Sequence, residues 1–144
     1  MPISDQGIDR AHYLVVPRTL IFLFDSNNQV LLLKGAENKR LWAGLYNGIG
    51  GHIEAGEYIY EAAYRELREE AGITRTTLQY CGQITIDTTT EVGVAIFIFK
   101  GEYQYTSFAN SSEGSLAWIA FNCLHDIPLV EDLPKLIPLL SFSN

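Results

Sequence analysis

The residues best placed to do chemistry are Arg65, Glu66, Glu69 and Glu70, in the stretch GHIEAGEYIYEAAYRELREEAGI that runs from Gly51 to Ile73. On a helix, residues three and four apart are neighbours on one face. Glu66, Glu69 and Glu70 are therefore expected to bring three carboxylates to one small patch. Like charges this close repel unless something positive lies among them. One reading of the patch is a solvated acidic helix face. The other is a cation site, and hard oxygen donors at this density suit Mg²⁺ or Mn²⁺ rather than zinc. Arg65 stands four residues before Glu69 and four after Glu61, so the spacing lets it pair either way and orient a carboxylate. Gly50 and Gly51, just upstream, let the backbone approach a ligand closely. Glu57, at the start of the helix, suits the positive end of its dipole.

Gly51, five residues, Glu57, seven residues, Arg65-Glu66-Leu67, one residue, Glu69-Glu70, one residue and Gly72-Ile73 form a pattern that resembles the complete Nudix box, with no position departing from it. The resemblance implies a loop–helix–loop that binds Mg²⁺ and hydrolyses a nucleoside diphosphate linked to another moiety. Carried onto this chain, it implies metal ligands at the Gly50 carbonyl, Glu66, Glu69 and Glu70, with Mn²⁺ as a substitute ion. Arg65 would orient a glutamate, and Gly51 and Glu57 would shape the junction and an outer shell. The base that takes a proton from water would be Glu66, Glu69 or Glu113. Glu113 lies in a loop five residues before Trp118, where the family often places an extra glutamate.

Recognition of the nucleotide is expected from residues outside the box. Asn47 offers an amide whose paired donor and acceptor match a purine edge; alternatively, its Gly-rich surroundings are a plain turn into the helix. Family members usually carry proline before the two glycines, and this chain has Ile49. In that, in Asn47-Gly48 and in Thr19, it is similar to members that hydrolyse oxidised purine nucleoside triphosphates. Glu131 and Asp132 are similar to the acidic pair that reads the base there, and are equally suited to the first turn of a helix. The tryptophan that stacks on the base in those members is replaced by Val130, with Trp42 or a tyrosine as candidate stacking surfaces. Arg18, Lys34 and His52 are weaker candidates for phosphate contacts.

The chain has 144 residues, 47% of them hydrophobic, and a formal net charge of −7. This size suits one domain over residues 1–144, with 1–12 as a loose arm. An acidic chain argues against a nucleic-acid polymer as partner but not against a small phosphate ester met through cations. Cys81 and Cys123 form no CxxC motif and are too few for a disulfide framework, so two buried thiols in a reducing compartment are expected. The start is polar and no apolar run reaches membrane length, which predicts a cytoplasmic protein off the membrane; monomer and homodimer both stay open.

Several elements must position these residues. Tyr13–Phe24 predicts a strand, split at Pro17, and Val30–Lys34 predicts its hairpin return. Both are almost continuously apolar, as in a sheet covered on both faces. The box helix is predicted over about Tyr58–Ala71, with Ile59, Ala63 and Leu67 facing the sheet. Strands follow at Leu78–Thr90, Val94–Phe99 and Leu116–Phe121. Asn122 is expected to cap a turn at Cys123–Asp126, and a short helix bounded or broken by Pro134 and Pro138 ends the chain. The fold class is α/β (α+β): an α/β/α sandwich with a mixed sheet. The expected activity is Mg²⁺-dependent hydrolysis of a phosphoanhydride, of a purine nucleoside triphosphate first. The alternatives are a nucleotide sugar or dinucleotide hydrolase, a non-catalytic nucleotide-binding module, and prenyl-diphosphate isomerisation.

Overall fold

The computed structural model describes residues 1–38, 42–105, 108–110 and 114–142. The apolar runs form six strands of one sheet: β1 (Leu14–Phe24), β2 (Gln29–Gly35), β3 (Tyr46–Asn47), β4 (Gln79–Asp87), β5 (Val92–Glu102) and β6 (Gly114–Ala120). Their order is β3-β2-β1-β5-β4, with β6 also paired to β2. β1 and β5 run parallel, while β2–β3, β2–β6 and β4–β5 are antiparallel. Helix α1 (Ile59–Ala71) covers one face and helix α2 (Leu133–Phe142) the other.

Burial on both faces explains why β1 and β2 lack alternation. Ile21, Leu23, Leu31 and Leu33 pack with Ala63, Leu67 and Ala71 of α1. Between them, Phe22, Val30 and Leu32 pack with Leu133, Ile137 and Leu140 of α2. Ile59, Ala63 and Leu67 of α1 meet the sheet, as their spacing predicts.

β1 is not split at Pro17. Within an extended residue the N–H and C=O point to the same edge. The Pro17 carbonyl accepts from Ile53 N (3.0 Å), so the missing N–H faces that side and not the β5 ladder. The hairpin of β1 and β2 is also shorter than expected. The two pair only at Leu23–Leu31 and Phe24–Val30, then diverge. Residues 46–53 enter the gap. Tyr46 and Asn47 pair with Lys34 and Leu33 of β2, and Ile49 and His52 bridge to Ile21 and Arg18 of β1. The glycine segment is thus clamped between two central strands.

Three smaller expectations are corrected. Asn122 lies inside a 3₁₀ turn at Phe121–Asp126 whose cap position is Ala120. Pro138 sits within α2 instead of ending it. Cys123 is exposed and Cys81 half-buried, because the first falls on the outer side of the 3₁₀ turn and the second on sheet-edge strand β4. Residues 1–12 are exposed and include a 3₁₀ turn at Ile3–Asp5. Among the described residues no helix is long and apolar enough to cross a membrane.

Candidate functional site

The site is built where the clamped glycine segment meets α1. Thr19 N donates to the Gly51 carbonyl (2.8 Å), and Ile21 and Ile49 exchange both backbone bonds (2.6 and 3.0 Å). The Thr19 hydroxyl lies within reach of Gly51 N (3.3 Å) and Gly51 O (3.4 Å), and the residue is only 3% exposed. Thr19, read from the sequence as a substrate contact, is here an anchor of the corner. A side chain on Gly50 would run into the Thr19 carbonyl, and a Cβ on Gly51 would stand 2.5 Å from Glu66 Oε1. Glycine at both positions is what lets β1, the loop and the helix carboxylate meet.

Helix α1 begins with Glu61 Oε1 accepting from Tyr58 N (3.1 Å) and ends at Gly72, in the left-handed region at φ 66°. There Gly72 N donates to the Arg68 carbonyl (2.9 Å) and Ile73 is buried behind it, a glycine stop with its hydrophobic latch. The helix therefore presents Arg65, Glu66, Glu69 and Glu70 at fixed phase toward the corner.

Arg65 has all five N–H donors engaged. Nε donates to Glu57 Oε2 (2.6 Å), and one terminal nitrogen to Glu66 Oε1 (2.8 Å) and Glu69 Oε2 (3.2 Å). The other donates to the His52 carbonyl (3.0 Å) and Glu57 Oε1 (2.9 Å). Bonding to Glu57 first, then Glu66, raises the Arg65 pKa well above its ordinary value. In return Arg65, with help from the Glu54 backbone N–H, pulls the Glu57 carboxyl down to about 2. The helical spacing pointed to Glu61 or Glu69 as partner. Glu57 takes the main role because residues 54–57 fold back outside the helix, where its periodicity does not apply.

The three carboxylates share one edge but face different partners. Glu66, with a side chain 12% exposed, turns to Arg65; Glu69, 55% exposed, touches Arg65 only lightly. Glu70 Oε2 accepts from Gly50 N at 3.3 Å. Among the described residues no three acidic, histidine or cysteine side chains are already gathered at metal-binding spacing. Glu66 and Glu69 share one terminal nitrogen of Arg65 while Glu70 turns to Gly50 N, so the three do not converge on one point. The donors nevertheless fit a hard cation. They are all carboxylate oxygens, one is nearly buried, and the space beside it exists only because residue 51 has no Cβ.

Arg18 also stands by the corner. It is half-buried on β1, beside His52, and its guanidinium carbon stands 5.0 Å from the centre of the Trp42 ring. Burial lowers its pKa, while the charges of Glu66 and Glu70 oppose the shift. Lys34 lies 5.9 Å over the Tyr46 ring.

The expected recognition residues collect along one edge of the segment. Tyr46 N donates to the Pro128 carbonyl (2.8 Å) and Val130 N to the Tyr46 carbonyl (3.0 Å), so 128–130 runs beside β3. Asn47 is thereby brought next to the segment carrying Glu131 and Asp132, both exposed just before α2. The Asn47 side-chain oxygen accepts from Gly48 N (2.8 Å), leaving its amide donors directed elsewhere. Glu113 lies outside the described residues. The backbone pairing of Tyr46 with 128–130 and the seat of Arg18 against Trp42 were not legible in the sequence. A lone arginine on an apolar strand was the available signal.

A mixed sheet between two helices, with a clamped double glycine against an acid-bearing helix, defines a Nudix-type sandwich. Residues 15–140 match the family model described as NUDIX domain, and the chain belongs to the Nudix family. It is 35% identical over 88 residues to an oxidized purine nucleoside triphosphate hydrolase of Danio rerio, covering 60% of this chain and 56% of that protein. Against the protein of that name from Mus musculus it is 29% identical over 110 residues, covering 76% and 70%. The match thus spans little more than half the length of the zebrafish relative. Among solved structures, a MutT protein from Bacillus halodurans superposes with a TM-score of 0.74 at 27% identity, covering 89% of this chain and 83% of that one.

Proposed function

We propose that the chain hydrolyses a phosphoanhydride bond in a nucleoside diphosphate-linked substrate, with Mg²⁺, or Mn²⁺ in its place, held at the glycine corner. A purine nucleoside triphosphate, oxidised or not, is the preferred substrate, and the products are the monophosphate and pyrophosphate. The observation that carries this reading is the meeting of a nearly buried Glu66 with Glu69, Glu70 and the Gly50–Gly51 backbone, in an acidic chain with Arg65 fully engaged.

Glu66, Glu69, Glu70 and the Gly50 carbonyl would hold the cation. Bound there, it would neutralise substrate phosphate and acidify a water. Arg65 keeps Glu66 in one orientation and ties the helix to the loop through His52 and Glu57. Glu66, Glu69 or Glu113 takes a proton from the attacking water as its oxygen bonds to phosphorus and the bridging P–O bond breaks. Asn47, with Glu131 and Asp132 on the neighbouring segment, faces the base. The names of the zebrafish and mouse relatives support an oxidised purine. Val130, in place of a stacking aromatic, favours a broader choice.

The test is a hydrolysis panel of oxidised and ordinary purine triphosphates, a nucleotide sugar and a dinucleotide, with and without Mg²⁺. Mg²⁺-dependent release of pyrophosphate and monophosphate is expected. Nucleotide binding with no turnover of any member would overturn the proposal in favour of a binding module.

A further inference from the structure

Among the described residues Arg65 and Arg18 flank the box carboxylates, and their surroundings are opposite. Arg65 has every N–H donor on an acceptor of the protein itself. It has nothing left for a ligand. Arg18 is half-buried on β1 opposite His52, near enough to feel the charges of Glu66 and Glu70, yet among the described residues none of its five donors meets an acceptor at hydrogen-bond distance. Its guanidinium packs against the face of Trp42, 5.0 Å away. A ring face holds a guanidinium in place by cation–π attraction and leaves the N–H edge open.

The placement of Trp42 is itself built. It adopts φ 61°, a left-handed conformation that a bulky side chain rarely takes. Its carbonyl accepts from Leu45 N (3.0 Å) and lies so close to Gly35 that any Cβ there would collide with it. Gly35 also exchanges backbone bonds with Leu45 and Gly44, both 2.9 Å. Such strain persists only where the surroundings over-determine it. Here the outcome is a ring set against Arg18.

An open guanidinium fork is complementary to phosphate oxygens, which it can bind in pairs. We infer that Arg18 is a substrate-phosphate contact, with Trp42 as the plate that keeps its donors aimed at the carboxylate edge. The inference rests on the phosphoanhydride reading above and names the residue that grips the substrate chain there. When a phosphate arrives, the open donors of Arg18 take it.

The test reads Trp42 emission in a Trp118→Phe background, where it is the only tryptophan left. Inorganic pyrophosphate and an α,β-methylene purine triphosphate are titrated in the presence of Mg²⁺. The Arg18→Gln change is expected to weaken both by tenfold or more. It should raise KM in proportion and leave kcat within about threefold. Arg18→Lys should recover part of the binding, since the charge stays and the fork is lost. Trp42→Leu, followed by calorimetry, should weaken binding severalfold with the charge intact, and so guards against a misfolded Arg18→Gln protein. Unchanged affinity in folded Arg18→Gln or in Trp42→Leu would overturn the inference. A wild-type protein that binds these ligands through Arg18 but turns over no member of the substrate panel would instead sink the hydrolase reading alone.

Discussion

The glycine corner and the edge formed by Tyr46–Asn47 and residues 128–132 lie on the same clamped segment, yet they are held by different means. At the corner, side chains hold one another: Arg65 alone joins Glu57, Glu66, Glu69 and the His52 carbonyl. At the edge, backbone holds backbone, through Tyr46 with Pro128 and Val130, and Glu131 and Asp132 stand exposed. A cross-linked set of side chains fixes geometry for a reaction and tolerates no change of residue type. A backbone scaffold with exposed side chains can change its preference without losing its shape. Substitutions should therefore cost rate in the first region and alter choice of substrate in the second.

The largest effect is expected at Glu70. Glu70→Gln keeps the bond to Gly50 N feasible but removes a negative oxygen, and kcat should fall by about a thousandfold, with thermal melts unchanged. Next is Arg65→Ala, which leaves Glu57 and the nearly buried Glu66 unpaired. Activity should fall about a hundredfold, and denaturant titrations should show a loss of stability. At the edge, Asn47→Ala should change kcat/KM by about tenfold or less, the size of one hydrogen-bond contact, and unequally between purine bases. An equal loss across all bases, or a loss as deep as that of Glu70→Gln, would erase the distinction between the two regions.

The smallest effect is a pH dependence. Glu57 titrates near 2 when folded, below its ordinary 4.5, because Arg65 binds its charged form. A depressed folded pKa gives stability that is present above the unfolded value and lost as pH falls through the folded one. The stability gap between wild type and Glu57→Gln should therefore be full above pH 4.5, shrink below it and close near pH 2. Denaturant melts across that range measure it; a gap that stays constant would refute the clasp.

The same contrast separates what the chain's sequence made legible from what it did not. Helix α1 was readable to within a residue of its start, with Gly72 as its stop and Ile59, Ala63 and Leu67 toward the sheet, because all of that is local periodicity. The sandwich followed from strands too apolar to leave a face in water. The wedge of residues 46–53 between β1 and β2 was not readable, since it depends on two strands parting after a two-pair hairpin. Nor was the choice of Glu57 over Glu61 by Arg65, made across a loop instead of along a helix. Thr19 stood out only by resemblance, and its tie to Gly51 depended on what lay across the gap.

The central claim, that the carboxylates beside the double glycine hold a divalent cation, is tested most directly by titrating Mn²⁺ into wild type and into a Glu66→Gln, Glu70→Gln double variant, followed by electron paramagnetic resonance. Wild type is expected to take up Mn²⁺, and the folded double variant to bind it at least tenfold more weakly. Equal Mn²⁺ affinity in the two proteins would contradict it.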